Sequence, residues 1–335
     1  MKAAFIRELG PADRIVYGDL PEPAVGAGEV LVRTEAVVVN PRDLYIRSGA
    51  VATPMNFPFV LGSDLVGTVA EVGPGVAGFA AGDRVWTGSM GHGGRQGTFA
   101  EYAAVPQDRL YPLPSGVDGL RAVAVFHPAT TAYVGLFQHA GLRPGETKFV
   151  AGGAGNVGAA VIQLAVSAGA RVVASCRGEE DADFCRRLGS LHVIDFRSAD
   201  QGKQLEATAR DGIDVYWDTF GRNDLETAVR VLAPRGRIVL TAGLAGRPTV
   251  PVGPFYVRDG RIIGFALANA HVEELREAAT TINALLANGS LVARTGRVLP
   301  LAAAAEAHRL LEGGAATGRV RGRLVLVPGD PGSLE

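Results

Sequence analysis

The stretch at residues 147–158, Thr-Lys-Phe-Val-Ala-Gly-Gly-Ala-Gly-Asn-Val-Gly, constrains this chain more than any other. A short β-rich run (Phe149, Val150, Ala151) breaks into Gly153-x-Gly155-x-x-Gly158. An apolar stripe at helical spacing follows, with Val157, Val161 and Leu164 at i, i+4 and i+7. Strand, tight turn and helix in that order suit a dinucleotide. The glycines let the backbone turn sharply and approach a pyrophosphate, and the helix N-terminus offers unpaired N–H groups to the phosphates. An ordinary glycine-rich turn has the same spacing, so the flanking strand and helix carry the reading. Asn156 and Val157 fall inside the phosphate-facing turn. The loop starts only near residue 150, so a separate domain precedes it.

Residues 1–123 read as short strands with turn signals between them: Glu29–Val39, Leu65–Val72, Arg84–Trp86, Phe99–Val105 and Leu110–Leu113. That pattern predicts a small barrel or sandwich. From about 124 the rhythm becomes strand–helix alternation. Strands are expected at 147–151, 171–175, 191–195, 213–217, 236–241 and 261–267, with helices at 155–169, 179–188, 201–210 and 223–232. This is the signature of a doubly wound parallel sheet. Helices at 272–288 and 301–312 then lead to a strand, Arg323–Val327. The expected organisation is therefore a β-rich domain at 1–123, a nucleotide domain at 124–267, and a tail at 268–335 that returns to the first domain.

At 335 residues the chain is long enough for two domains with full cores. A formal charge of −1 predicts no attraction to nucleic acid or an anionic membrane surface. Cys176 and Cys185, the only cysteines, exclude a disulfide framework and a Cys-rich zinc knuckle. The opening Met-Lys-Ala-Ala-Phe-Ile-Arg-Glu becomes charged too early for a signal peptide, and no apolar run reaches membrane-spanning length. The expectation is a soluble, cytoplasmic protein.

NAD-binding folds end their second strand with an acid that holds the ribose 2′-hydroxyl. Here the strand ends Ala174-Ser175-Cys176-Arg177, with a guanidinium beside the missing acid. Arg177 suits the 2′-phosphate of NADPH, with Ser175 adding a hydroxyl and Cys176 lying between them. One charge-assisted hydrogen bond contributes roughly 1.5–3 kcal/mol, enough for one to two orders of magnitude in favour of NADPH. A solvated loop charge is the plainer account of Arg177.

These residues resemble a medium-chain dehydrogenase/reductase, and more closely its zinc-free quinone oxidoreductase (zeta-crystallin-like) group. Asn40-Pro41-Arg42-Asp43-Leu44-Tyr45-Ile46-Arg47-Ser48-Gly49 is the most specific match. Gly62-Ser63-Asp64-Leu65-Val66-Gly67, Gly82-Asp83-Arg84-Val85, Gly97–Tyr102, Trp217–Gly221 and Gly314–Arg319 are also similar to that group. The resemblance covers essentially the whole chain. It implies an α/β fold: a GroES-like β-rich catalytic domain plus a Rossmann domain.

Zinc-dependent relatives carry Cys where this chain has Asn40, and Gly-His-Glu where it has Gly62-Ser63-Asp64. They also have a four-cysteine lobe that is missing here. Asn40 and Ser63 are poor zinc ligands, so no metal is expected. His92 reads as a surface-loop residue and His127 as a packing residue. Without a Lewis acid, the chemistry expected is hydride transfer from NADPH to a quinone or, alternatively, to the C=C bond of an enone, enal or enoyl thioester. In both, conjugation places developing charge on a distant oxygen.

Tyr45 is the leading catalytic candidate, as hydrogen-bond donor or proton source; a packed aromatic is the alternative. Asn40 is read as donating its amide to nicotinamide or acceptor, or else as capping the next turn. Arg47 reads as an ion-pair residue and Asp43 as structural. The resemblance implies that Thr130, with Thr131, lies on the helix supporting the nicotinamide. It also implies that Thr241, Ala242 and Gly243 run along its amide, and that Phe265 to Leu267 close that side. Phe196 stands where relatives often have Tyr near the adenosine ribose, which shifts weight to Arg177. Arg319 is a candidate cofactor contact within a basic cluster (Arg319, Arg321, Arg323). Some zeta-crystallin-like proteins are lens structural proteins or contact RNA, but this chain lacks basic–aromatic clusters. The apolar strand at 261–267 would leave an unpaired sheet edge, which points to a homodimer.

Overall fold

The structure, a computed structural model, describes residues 1–317, 321–329 and 331, excepting the side chains of 315–317. Arg319 lies outside the described residues. In chain order the strands of the first half are β1 (Lys2–Ile6), β2 (Val16–Asp19), β3 (Glu29–Val38), β4 (Phe59–Val60), β5 (Asp64–Val72), β6 (Arg84–Thr87), β7 (Tyr102–Pro106) and β8 (Tyr111–Pro112). Those of the second half are β9 (Thr147–Ala151), β10 (Arg171–Cys176), β11 (His192–Asp195), β12 (Ile213–Asp218), β13 (Leu232–Leu240), β14 (Arg261–Gly264), β15 (Thr295–Pro300) and β16 (Arg323–Val327). The chain divides into two compact units: Met1–His127 with Leu275–Glu335, and Pro128–Glu274.

In the first unit a seven-stranded sheet runs β15-β16-β3-β5-β6-β8, with β7 also on β3, and a smaller sheet runs β2-β1-β4. The long strand β3 carries apolar side chains inward. Its ladder with β5 shifts register at Leu31/Val32 and again at Thr34/Ala36, and such irregularities bend a sheet around its core. That core includes Phe59, Leu61, Leu65, Met90 and Phe99, all at most 2 % exposed. The returning strand β16 pairs antiparallel with β3, Val325 opposite Val38, which places Arg323 beside Asn40, two residues past the end of β3. There a helix, α1 (Pro41–Ser48), begins. Asn40 is its N-cap, Pro41 its first residue, and Gly49 ends it at φ 80°, the left-handed conformation glycine adopts without strain. The first-unit expectations had no helix here, nor β1 and β2. Polar residues break the apolar period of α1, so it is specified by its caps.

The second unit is one parallel sheet in the order β11-β10-β9-β12-β13-β14. The order reverses between β9 and β12, and ligands of such sheets bind beyond the strand C-termini at that switch point. The loops after β9, β10, β11, β12 and β13 all emerge at this end. The expected strands are all present with small shifts. β13 starts earlier, at Leu232. β14 stops at Gly264, opposite Leu240 where its partner ends, so Phe265 leaves the sheet and Leu267 starts a short 3-10 turn. One core side chain is out of character. Lys148 on β9 is fully buried, its Nζ lacks a hydrogen-bond partner, and it lies 5.0 Å from the Trp217 ring centre. Burial holds the amine well below the ordinary lysine range, and Arg237 adds to the effect.

Candidate functional site

In the second unit the glycine loop opens a helix spanning Asn156–Ser167 with Gly155 at its N-cap. Its ladder begins with Ala159 N donating to Gly155 O at 2.8 Å, so the N–H groups of Asn156, Val157 and Gly158 stand ahead of that ladder. A Cβ on Gly158 would lie 2.1 Å from the Gly152 carbonyl, which makes the side-chain-free backbone obligatory there. A Cβ on Gly155 would meet only that same carbonyl, at 3.1 Å, and otherwise open space. Gly153 N donates to Ser175 O at 2.8 Å, tying the loop to the end of β10. The open backbone at the helix start fits a pyrophosphate.

Arg177, just past β10, is exposed. Ser175, expected to add a hydroxyl to the phosphate site, is 1 % exposed with its Oγ unpartnered. Cys176 is buried too and its thiol is held low, chiefly by a hydrogen bond with Cys185. Asp195, at the end of β11, accepts from Arg197 Nη2 at 2.6 Å and from Gly178 N at 3.2 Å. Phe196 follows. Its ring lies 6.2 Å from that of Phe220, nearly parallel, and Arg222 stacks at 5.0 Å over Phe196 and 5.7 Å over Phe220. Guanidinium and aromatic faces of this kind suit a flat base.

The sequence reading missed the residues that shape the next two loops. Asp218 ends β12 and accepts from the backbone N–H groups of Phe220 (2.7 Å), Gly221 (2.9 Å) and Asn223 (2.6 Å). Asn223 Nδ2 then donates to Ala242 O at 2.9 Å. A Cβ on Gly243 would lie 2.6 Å from Asn223 Nδ2 and from Gly221 O. Only the Asp and Gly of Trp217–Gly221 hinted at this loop pair. Thr241 Oγ1 accepts from Trp217 Nε1 at 2.9 Å, and Phe265 stacks on His139 at 4.7 Å. Thr130 is buried. Leu267 stands two residues beyond Phe265, so Thr241–Gly243, Phe265 and Leu267 sit where β13 and β14 end, while Thr130 lies on a separate helix.

In the first unit Tyr45 on α1 is 44 % exposed, and its phenol has no hydrogen-bond partner among the described residues. Asn40 is the N-cap of α1, the second of its two readings. It is completely buried, and its Nδ2 donates to Ser63 Oγ and to Asp64 Oδ2, each at 3.1 Å. Its Oδ1 accepts from Arg323 Nη2. The amide of Asn40 is thus hydrogen-bonded on both sides to neighbouring side chains. Asp43 Oδ2 accepts from Asn40 N at 2.8 Å, completing a capping box, and its Oδ1 accepts from Ser63 Oγ at 3.2 Å. Burial pushes the Asp43 carboxyl up to about 6 and that of Asp64 up to about 7, against the lowering influence of Arg323 and Arg42. His127 Nδ1 lies 4.0 Å from Asp64 Oδ1, and burial holds this imidazole down at about 3. Asn40 and Ser63, spent on one another, do not fit a zinc ion. Arg47, as its ion-pair reading had it, is buried and bonds Glu312, Gly10 O (3.0 Å) and His308.

Comparison with known proteins agrees with this anatomy. Residues 26–115 match the family "Alcohol dehydrogenase GroES-like domain", and residues 156–284 match "Zinc-binding dehydrogenase". A quinone oxidoreductase of Rattus norvegicus is 31% identical over 310 residues, covering 92% of this chain and 93% of that protein. A 2-haloacrylate reductase of a Burkholderia species is 28% identical, covering 97% and 98%. Among solved structures, an NAD-dependent alcohol dehydrogenase superposes with a TM-score of 0.88 at 32% identity, over 98% of this chain and 100% of that one. Escherichia coli quinone oxidoreductase complexed with NADPH superposes with 0.85 at 26% identity, over the same shares. The folds, the loops and the hydrogen-bonded Asn40 cluster go together: the chain belongs to the quinone oxidoreductase family of medium-chain dehydrogenases/reductases.

Proposed function

We propose that the protein is an NADPH-dependent oxidoreductase that transfers hydride to quinones. The carrying observation is the Asn40–Ser63–Asp43–Asp64–Arg323 cluster. Asn40 and Ser63 are bonded to neighbouring side chains where zinc-dependent relatives coordinate an electrophile, so the acceptor must be electron-poor by itself. Quinones meet that requirement.

The Asn156–Gly158 amides and Gly155 would hold the pyrophosphate, Arg177 the 2′-phosphate, and Phe196, Phe220 and Arg222 the adenine. Thr130, Thr241–Gly243, Phe265 and Leu267 would flank the nicotinamide. When bound, the cofactor supplies the hydride. Tyr45, exposed and with its phenol uncommitted, would donate a hydrogen bond to the acceptor oxygen and place a proton there or on the adjacent carbon. Asp43 and Asn40 fix the start of α1 and hence the direction of Tyr45. A second reading, reduction of an activated C=C bond, is favoured by the similarity to a 2-haloacrylate reductase.

NADPH oxidation with 1,4-benzoquinone and with a simple enone separates the two. Turnover of the enone alone, abolished in Tyr45→Phe, would overturn the quinone reading. For the cofactor, Arg177→Ala should raise the Michaelis constant for NADPH at least tenfold and that for NADH less than twofold. We also propose a cytoplasmic homodimer. β14 is a sheet edge, and Val252, Tyr256 and Val257 beside it are about two-thirds exposed. Unpaired edges and apolar patches favour association. A monomer by light scattering at micromolar concentration would contradict it.

A further inference from the structure

Hydrogen bonds join the end of α1, the segment at 51–54 and the loop at 93–94 of the first unit. Val51 N donates to Tyr45 O at 3.1 Å, Gly94 N donates to Pro54 O at 3.1 Å, and Gly93 N donates to Thr53 Oγ1 at 2.9 Å. The loop at 88–96 also lies along the Ser63–Asp64 backbone, since Met90 N donates to Ser63 O at 3.1 Å. Into this region come three half-buried arginines, Arg42, Arg95 and Arg109.

Their charges are poorly answered. Arg42 Nη2 and Arg95 Nε are buried and without hydrogen-bond partners. Arg95 Nη2 donates to Ser89 O at 3.1 Å, and Arg109 Nη1 donates to Ser89 Oγ at 3.4 Å, so two guanidinium groups meet on one neutral residue. The nearby carboxylates are Asp43, Asp64 and Asp108. Asp43 accepts from Asn40 N and Ser63 Oγ, and Asp64 accepts from Asn40 Nδ2 through Oδ2 while its Oδ1 has no hydrogen-bond partner; among the described residues none of the three forms an ion pair with these arginines. His92 stands among the same arginines, with Nδ1 3.1 Å from Thr53 Oγ1. Burial first, then Arg42, Arg95 and Arg109, hold it down at about 4, so this imidazole adds no charge at neutral pH. Arginine cannot shed its proton, and a buried unmade donor is costly.

We propose that Arg42, Arg95 and Arg109 form an anion-binding subsite, so that the preferred acceptor carries a carboxylate, sulfonate or phosphate besides its reducible bond. This rests on the reductase reading and narrows its substrate class. Guanidinium forks match planar oxyanions two donors at a time, and the cluster would also draw an anion in from solution.

The test uses pairs differing only in charge: 2-chloroacrylate against its methyl ester, and 1,4-naphthoquinone-2-sulfonate against 1,4-naphthoquinone. The anionic member of each pair should show at least tenfold higher kcat/KM, through KM. Arg95→Gln and Arg109→Gln should each raise that KM at least tenfold and change the neutral member less than twofold. Acetate and inorganic phosphate as inhibitors distinguish a carboxylate site from a phosphate site. Preference for the neutral members, or an equal rise in the KM for NADPH, would overturn the subsite. If NADPH reduces no acceptor, the reductase reading itself fails. The subsite then stands or falls on calorimetric titration with 2-chloropropionate and phosphate, whose binding must weaken at least tenfold in the double variant.

Discussion

Lys148→Met isolates the cost of one buried amine. At any pH above its depressed folded-state pKa, the native amine is neutral while the unfolded one is charged up to about 10.5. The unfolded chain therefore binds the extra proton, and stability rises with pH across that window, by up to about 1.4 kcal/mol per pH unit. Removing the amine removes the slope. The variant's advantage should be largest at the low-pH end of that window, shrink by up to about 1.4 kcal/mol per pH unit as pH rises, and vanish near pH 10.5. Methionine has a similar length and leaves no orphan donor, and repacking against Trp217 should cost under about 1.5 kcal/mol. Chemical denaturation should be followed by Trp217 fluorescence in a Trp86→Phe background, which leaves one tryptophan in the Pro128–Glu274 unit. A variant less stable at pH 8, or an advantage that does not shrink by pH 10, would refute the reasoning.

Gly158→Ala puts a methyl 2.1 Å from the Gly152 carbonyl, so it should destabilise the second unit by about 1–3 kcal/mol and weaken NADPH binding at least tenfold, as read by thermal melts and fluorescence titration. Asp64 has its folded-state pKa raised by burial to about 7, so its contribution is fully present below about pH 4 and is lost as pH rises through 7. Asp64→Asn should flatten the fall in urea midpoint between pH 4.5 and 7.5; parallel profiles would count against that shift. Arg222→Ala should raise the Michaelis constants for NADPH and NADH alike, because stacking reads the base, whereas an NADPH-specific effect would reassign Arg222 to the phosphate.

The second unit was legible because its elements follow one period at a time. β9, β10 and β12 lie within one residue of their expected ends, since apolar runs bounded by glycine or charge are what a buried parallel strand needs. The first unit was less so. α1 is set by Asn40, Pro41, Asp43 and Gly49 at its ends, not by an apolar stripe. The cap role of Asn40 was legible from its place before Pro41, but its partners were not, for a related reason. Its residue type suits a ligand contact, and what commits it is Arg323, 283 residues away in sequence. Asp218 was hidden likewise, because its three backbone donors belong to a loop that exists only once the carboxylate is in place.

The two kinds of orphaned cation in this protein have different meanings. Lys148 and Arg42 both bury nitrogen atoms without partners. A lysine escapes by releasing its proton, and Lys148 sits among apolar side chains where nothing needs to reach it. Its orphan amine is a stability cost with no implied visitor. Arg42 has no such exit. It keeps its charge, only half buried, with no ion pair to Asp43 or Asp64 among the described residues, in the region of Arg95 and Arg109. An anion arriving there gains a desolvated, unpaired guanidinium without displacing a native ion pair, which is the condition under which such a contact adds net affinity. Placing a carboxylate there permanently, as in Ser89→Asp, should therefore stabilise the resting protein and abolish the preference for anionic acceptors together. Gain of stability with the preference intact would separate the arginines from the acceptor.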